Sequence, residues 1–219
     1  MNAEERTEAT RRRILAAACE VIAEMGFEGV RMRIVAARAE VSSALLHYHF
    51  SNRETLFLAA LRHSFEHTGE ETYLAEPPAE APATFRLARI VDACLPLDTE
   101  LRRDFVLWQE LLLRGTRDAE SKDLAVLFYQ EMREWIGGTI RDGINRGEFI
   151  ACDVPAVTDL LLALTDGFGI RLMLDDPVVT ADRTRQAVWA CLSRELGITR
   201  PFPPGGPVVG PVARTAAPA

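Results

Sequence analysis

The 219-residue sequence has no run of about 18 uncharged apolar residues, so no helical membrane span is expected. Its opening stretch, MNAEERTEATRRRI, is too charged for a secretory signal. Cysteine is scarce. Cys19, Cys94, Cys152 and Cys191 are too far apart for zinc-ligand or redox spacing, which points to reduced thiols in a cytoplasmic protein. Alternating β-branched runs are missing, and so is any internal repeat, which excludes a sheet-rich or solenoid chain. No nucleophile with base and orienter stands out, and there is no phosphate loop or acid pair, so neither an enzyme nor a cofactor is expected. His63 and His67 lie four apart beside Glu66, Glu70 and Glu71, a spacing that can hold zinc. They read as a solvated helix face, and no metal is expected. A general excess of positive charge is also absent. The net charge of −7 argues against coating nucleic acid indiscriminately.

The charge that is present is uneven. Residues 1–65 carry nine arginines against eight glutamates, whereas residues 66–219 carry 16 basic and 24 acidic side chains. Only the first third is suited to approach a polyanion. Helical periodicity dominates throughout and predicts an all-α chain of about nine helices. The first spans 4–25, with Ile14, Ala17, Ala18, Val21, Ile22 and Met25 as its apolar stripe and Gly26 at the left-handed cap position. A short helix over 32–39 and a second one from Ser43 to His47 or Tyr48 follow, joined by AEVS. Ser42 is placed as N-cap of the second, and Ser51 or Asn52 as cap of a longer helix reaching residue 72.

Two short helices joined by a tight turn and held by helices on both sides make a helix-turn-helix unit, here over 31–50. A recognition helix presents its N-terminal residues to base edges in the major groove. Leu45 and Leu46 are placed to pin the short helix to the core. Ser42, Ser43, Ala44, His47 and Tyr48 are then left for an outward face.

Residues 8–68 resemble the DNA-binding domain of the TetR family of transcriptional regulators. The resemblance rests on GF at 26–27, VAARAEVS at 35–42, LLHYHF at 45–50 and NRETL at 52–56. It implies a DNA-contacting set of Arg31, Arg33, Ser42, Ser43, Ala44, Leu45, His47, Tyr48, His49 and Arg53, with Tyr48 and Arg53 on phosphates. Four departures stand out: the family's turn glycine is Glu40, the Thr often found at the start of its second helix is Val30, its frequent lysine is Ser43, and its frequent glycine is Ala44. Glu40 then has to adopt a positive φ, and it brings a carboxylate close to phosphates.

The Pro/Ala-rich stretch LAEPPAEAPA at 74–83 divides the chain into a DNA-binding domain over 1–73 and a helical body over 82–198. The Pro/Gly-rich tail, 199–219, is expected to be disordered. The body loosely resembles the C-terminal domain of the BetI-like branch of the family. The resemblance implies a homodimer that binds a palindromic double-stranded DNA operator and is released by a small-molecule effector, most simply as a repressor. The competing reading is a protein-interaction module of this fold that has lost DNA binding. In the near-continuously apolar stretch DLLLALTDGFGIRLML, Gly167 and Gly169 suggest close approach of another helix. That helix and the last one, with Val188, Trp189 and Leu192, are expected to form a four-helix interface with a second copy. Phe105, Trp108, Gln109, Leu112, Phe128, Tyr129, Met132, Trp135, Asp166 and Phe168 are candidates for a ligand cavity between helices. Asp166 needs a partner in such an apolar helix, and Arg171 is the nearest candidate in sequence. The glycine pair 137–138 invites a kink in the long helix.

Overall fold

The computed structural model describes residues 2–67 and 80–203. Nine helices and no strand occur among them: α1 (Ala3–Gly29), α2 (Met32–Arg38), α3 (Ser43–His49), α4 (Arg53–His67), α5 (Ala83–Ala93), α6 (Thr99–Gly115), α7 (Ala119–Asn145), α8 (Val154–Met173) and α9 (Ala181–Leu196). The expected end of α4 at residue 72, most of the Pro/Ala stretch and the tail beyond 203 lie outside the described residues.

Helix starts follow local chemistry. The Ser42 hydroxyl accepts from the Leu45 N–H at 3.1 Å, and the Asn52 side-chain oxygen accepts from that of Thr55 at 2.8 Å. Asp98, Asp153 and Thr180 cap α6, α8 and α9 in the same way. Helix α1 bends at Gly26, whose φ is 65° and ψ 164°, so its regular part ends where the apolar stripe ends. Helix α7, by contrast, runs unbroken through Gly137 and Gly138, and the expected kink is absent. Nothing at that point removes the i to i−4 bonds, and a glycine pair alone does not break a helix that tertiary packing holds.

The chain forms two compact units. Among the described residues, the first joins 2–67 with 102–128, and the second joins 80–101 with 129–203. In the first, Ile14, Ala18, Val21 and Ile22 of α1 pack with Val35, Leu46, Leu56, Phe57, Leu107, Leu111 and Phe128. The Cys19 thiol donates to the Ala60 carbonyl at 3.3 Å and ties α1 to α4. Burial pushes that thiol up to about 12, which makes it an inert core group.

In the second unit Leu87, Val91, Ile136, Ile140, Leu161, Val188, Trp189 and Leu192 form the core. This corrects the expected dimer contacts. Val188 and Leu192 are fully buried in their own chain, and Trp189 packs on Phe202 and donates its indole N–H to the Arg200 carbonyl at 3.1 Å. Periodicity identified them as buried, and their own unit is what buries them. The buried Asp92 pairs with Arg185 at 2.6 Å, which joins α5 to α9. Burial pushes the Asp92 carboxyl above the usual range while Arg185 pulls it back. No helix among the described residues is long and apolar enough to cross a membrane.

Candidate functional site

The turn between α2 and α3 is made by Glu40, at φ 53°. Its N–H reaches the Ala37 carbonyl at 3.1 Å, and the Val41 N–H reaches that of Ala36 at 2.9 Å. A side chain in the left-handed region costs roughly 1–2 kcal/mol, partly offset by the lower chain entropy that a non-glycine residue loses on folding. Glu40→Gly is therefore expected to stabilise the fold by about 0.5–1 kcal/mol. It should also tighten operator binding, because it removes a carboxylate from the turn before α3. Thermal unfolding and operator titration of the variant check both.

Helix α3 has two turns and one anchor. Leu46 is fully buried, while Leu45 is 38% exposed, so Leu46 alone pins the helix. On seven residues only one of two adjacent leucines can face inward. Ser42, Ser43, Ala44, Leu45, His47 and Tyr48 are all exposed and His49 is half-buried, so one outward face carries hydroxyls, an imidazole and a phenol. Tyr48 is 78% exposed and meets the His49 ring edge-on at 5.3 Å. The small Ser43 and Ala44 at the helix start let that end approach another surface closely.

The arginines differ in how they are held. Arg33 is exposed. Arg31 donates to the Glu28 carbonyl at 2.8 Å and to that of Val30 at 3.2 Å. The Arg53 guanidinium lies 4.2 Å from the Phe27 ring centre and pairs with Glu28 at 3.8 Å and Glu54 at 3.5 Å. Arg38 binds Glu24 at 2.8 Å and Glu20 at 3.0 Å, and so ties α2 to α1.

The ten ligand candidates divide between the two units. Phe105, Trp108, Gln109, Leu112 and Phe128 belong to the first. There Phe128 is buried and stacks on Phe65 at 4.0 Å, an ordinary core use. The side-chain nitrogen of Gln109 is buried and has no hydrogen-bond partner among the described residues. The first unit also has a cleft of about 840 Å³ between α1, α4 and α7, lined by Arg11, Arg12, Leu15, Leu58, Arg62 and Leu124 among others. None of the ten candidates lines it.

Tyr129, Met132, Trp135, Asp166 and Phe168 belong to the second unit. Tyr129, Met132, Trp135 and Phe168 pack, partly buried, against one core. The Tyr129 hydroxyl donates to the Asp166 carboxylate at 2.7 Å. This corrects the expected Asp166–Arg171 pairing, since Arg171 binds Asp176 at 2.8 Å instead. Helical geometry turns Arg171 outward to the exposed chain beyond α8. Burial, and then the hydrogen bond and charge of Asp166, raise the Tyr129 phenol above its usual value. Burial and then the Asp166 charge push the Cys94 thiol up to about 12. The result is a half-buried carboxylate held by a half-buried phenol, with the Arg133 guanidinium 5.8 Å from the centre of the Tyr129 ring.

The comparisons with known proteins agree with both parts. The family model described as bacterial regulatory proteins, tetR family, matches residues 14–60, and that for the BetI-type transcriptional repressor C-terminal region matches 83–197. The regulator UidR of Escherichia coli K12 is 26% identical over 167 residues, covering 76% of this chain and 83% of its own. BetI of Rhizobium meliloti is 25% identical over 172 residues, covering 78% and 82%. A transcriptional regulator from Saccharomonospora viridis, solved in complex with choline, superposes with a TM-score of 0.75 at 30% identity, covering 86% of this chain and 98% of its own. The chain belongs to the TetR family of bacterial regulators, with a BetI-type C-terminal region, and is a ligand-responsive, DNA-binding transcriptional regulator.

Proposed function

We propose that the protein acts in the cytoplasm as a homodimeric repressor that reads a palindromic operator and is released by a small organic cation. The observation that carries this reading is the outward face of α3, where Ser43, Ala44, His47 and Tyr48 stand exposed over a single buried anchor, Leu46. Ser42, Leu45 and His49 flank that face, and Arg31, Arg33 and Arg53 supply cations for phosphates.

The dimer surface follows from α8. Ala163, Gly167 and Ile170 are exposed at successive turns and Leu174 follows at the helix end, with Ile170 at 43% and Leu174 at 75%, while the turn before carries Asp159 paired with Arg133. A Cβ added to Gly167 would meet nothing within 4 Å. An apolar stripe with room at its glycine fits the same stripe of a second copy. Two recognition helices related by a two-fold axis then address half-sites about 34–36 Å apart.

The effector class rests on Tyr129, Asp166 and the neighbouring Met132, Trp135 and Phe168, and is supported by the choline complex of the similar regulator from Saccharomonospora viridis. Selection from a random duplex pool, followed by footprinting, tests the operator reading. A protected palindrome with half-sites one turn apart is the expected result. No enrichment at low salt would overturn it in favour of the protein-interaction module. Choline titrated into the complex is expected to release the duplex. Asp166→Asn should raise the choline concentration needed about tenfold, because the charge that would pair with the cation is removed. Unchanged release by that variant would overturn the site.

A further inference from the structure

Three guanidinium groups gather around the bend after α1, and one of them belongs to no recognised DNA-contacting position. Arg114, in the last turn of α6, lies 3.7 Å from the centre of the Phe27 ring and 5.1 Å from that of Phe57. Arg53 addresses the same Phe27 ring at 4.2 Å. The Glu28 carboxylate, 86% exposed, is 3.8 Å from Arg53 and 4.0 Å from Arg114. Its backbone carbonyl accepts from Arg31 at 2.8 Å and from Arg53 at 3.5 Å. The Arg114 Nε is buried and without a hydrogen-bond partner among the described residues.

Glu28 is thus a rival of DNA. Its carboxylate can satisfy Arg53 in place of a phosphate, and opposite charges at this distance compete directly. Arg114 faces that carboxylate from another helix. It divides Glu28 between two cations and holds, through Phe27, the ring on which Arg53 lies. We infer that Arg114 is a positioning residue for DNA recognition: it draws Glu28 off Arg53, so that Arg53 keeps Glu54 at 3.5 Å as a neighbour and has one rival fewer to a phosphate. The inference rests on the operator reading above and names a residue of α6, outside the helix-turn-helix.

A four-way comparison tests it: wild type, Arg114→Met, Glu28→Gln and the double variant, titrated by fluorescence anisotropy against the selected operator at several salt concentrations. Methionine keeps apolar contact with Phe27 and removes the charge. Arg114→Met is expected to weaken operator binding about tenfold and to lower the salt slope by about two, as loss of one phosphate contact in each half-site requires. Glu28→Gln, at an exposed position that cannot compromise folding, is expected to bind severalfold more tightly than wild type. The double variant is expected to return to within about threefold of wild type. A structural effect of losing Arg114 would not be rescued at Glu28. Wild-type affinity for Arg114→Met, an unrescued double variant, or no gain from Glu28→Gln overturns the inference while leaving the operator reading intact. A wild-type protein that enriches no duplex overturns the operator reading itself, and the inference with it.

Discussion

Gly143→Ala is expected to be the most damaging small substitution in the second unit, lowering stability by about 3 kcal/mol. The residue lies near the end of α7, where the chain turns back at Gly147. The Gly143 carbonyl accepts from the Glu148 N–H at 2.8 Å and from the Phe149 N–H at 3.2 Å, which lays the Phe149 ring across its Cα. A Cβ on Gly143 would fall inside the space of that ring and 2.9 Å from the Cβ of Ala83 on α5. Phe149 is 5% exposed, and a close-packed interior leaves its ring little room to move aside. Thermal unfolding followed by circular dichroism should show a drop of roughly 6–12 °C for a chain of this size. Phe149→Leu, introduced into the same variant, should recover part of it. An unchanged melting temperature would mean that α5 and α7 can separate at no cost.

Ala44→Glu is expected to abolish operator binding without touching stability. Ala44 is exposed on the first turn of α3, so a longer side chain has room in the free protein. Against a duplex it would bring a carboxylate into a groove lined by phosphates. A lost or opposed contact costs about 1–3 kcal/mol at each half-site, so a dimer should lose at least about 30-fold in affinity. Tyr48→Phe should lose less, since only a hydroxyl is removed. Leu46→Ala makes the contrast, because a cavity under the helix should lower the melting temperature as well as binding. Wild-type affinity for Ala44→Glu would place the reading surface elsewhere.

Much of this architecture was legible in the residues because local rules act over short separations. Ser42 caps α3, Gly26 takes a positive φ at the end of the apolar stripe, and Glu40 carries the left-handed turn where the family has glycine. What was not legible involves choices between equivalent neighbours or distant partners. Leu45 and Leu46 are chemically alike, and two turns are too few for periodicity to decide between them. Val188, Trp189 and Leu192 read as buried, but hydrophobicity carries no label for which chain covers them. Asp166 finds Tyr129 at a separation of 37 residues, although Arg171 stands closer in sequence. Arg114 reads as the last residue of an amphipathic helix, and nothing nearby in sequence announces Phe27 or Glu28.

The first compact unit is discontinuous in the chain, with Leu107, Leu111, Leu124, Ala125 and Phe128 packed among residues of α1 to α4. During synthesis, the segment with the recognition helix leaves the ribosome well before the residues that complete its core. A nascent chain that ends at the Pro/Ala stretch still exposes the faces of α1 and α4 that these later side chains cover. The core of the first unit is therefore complete only after residue 128 has emerged.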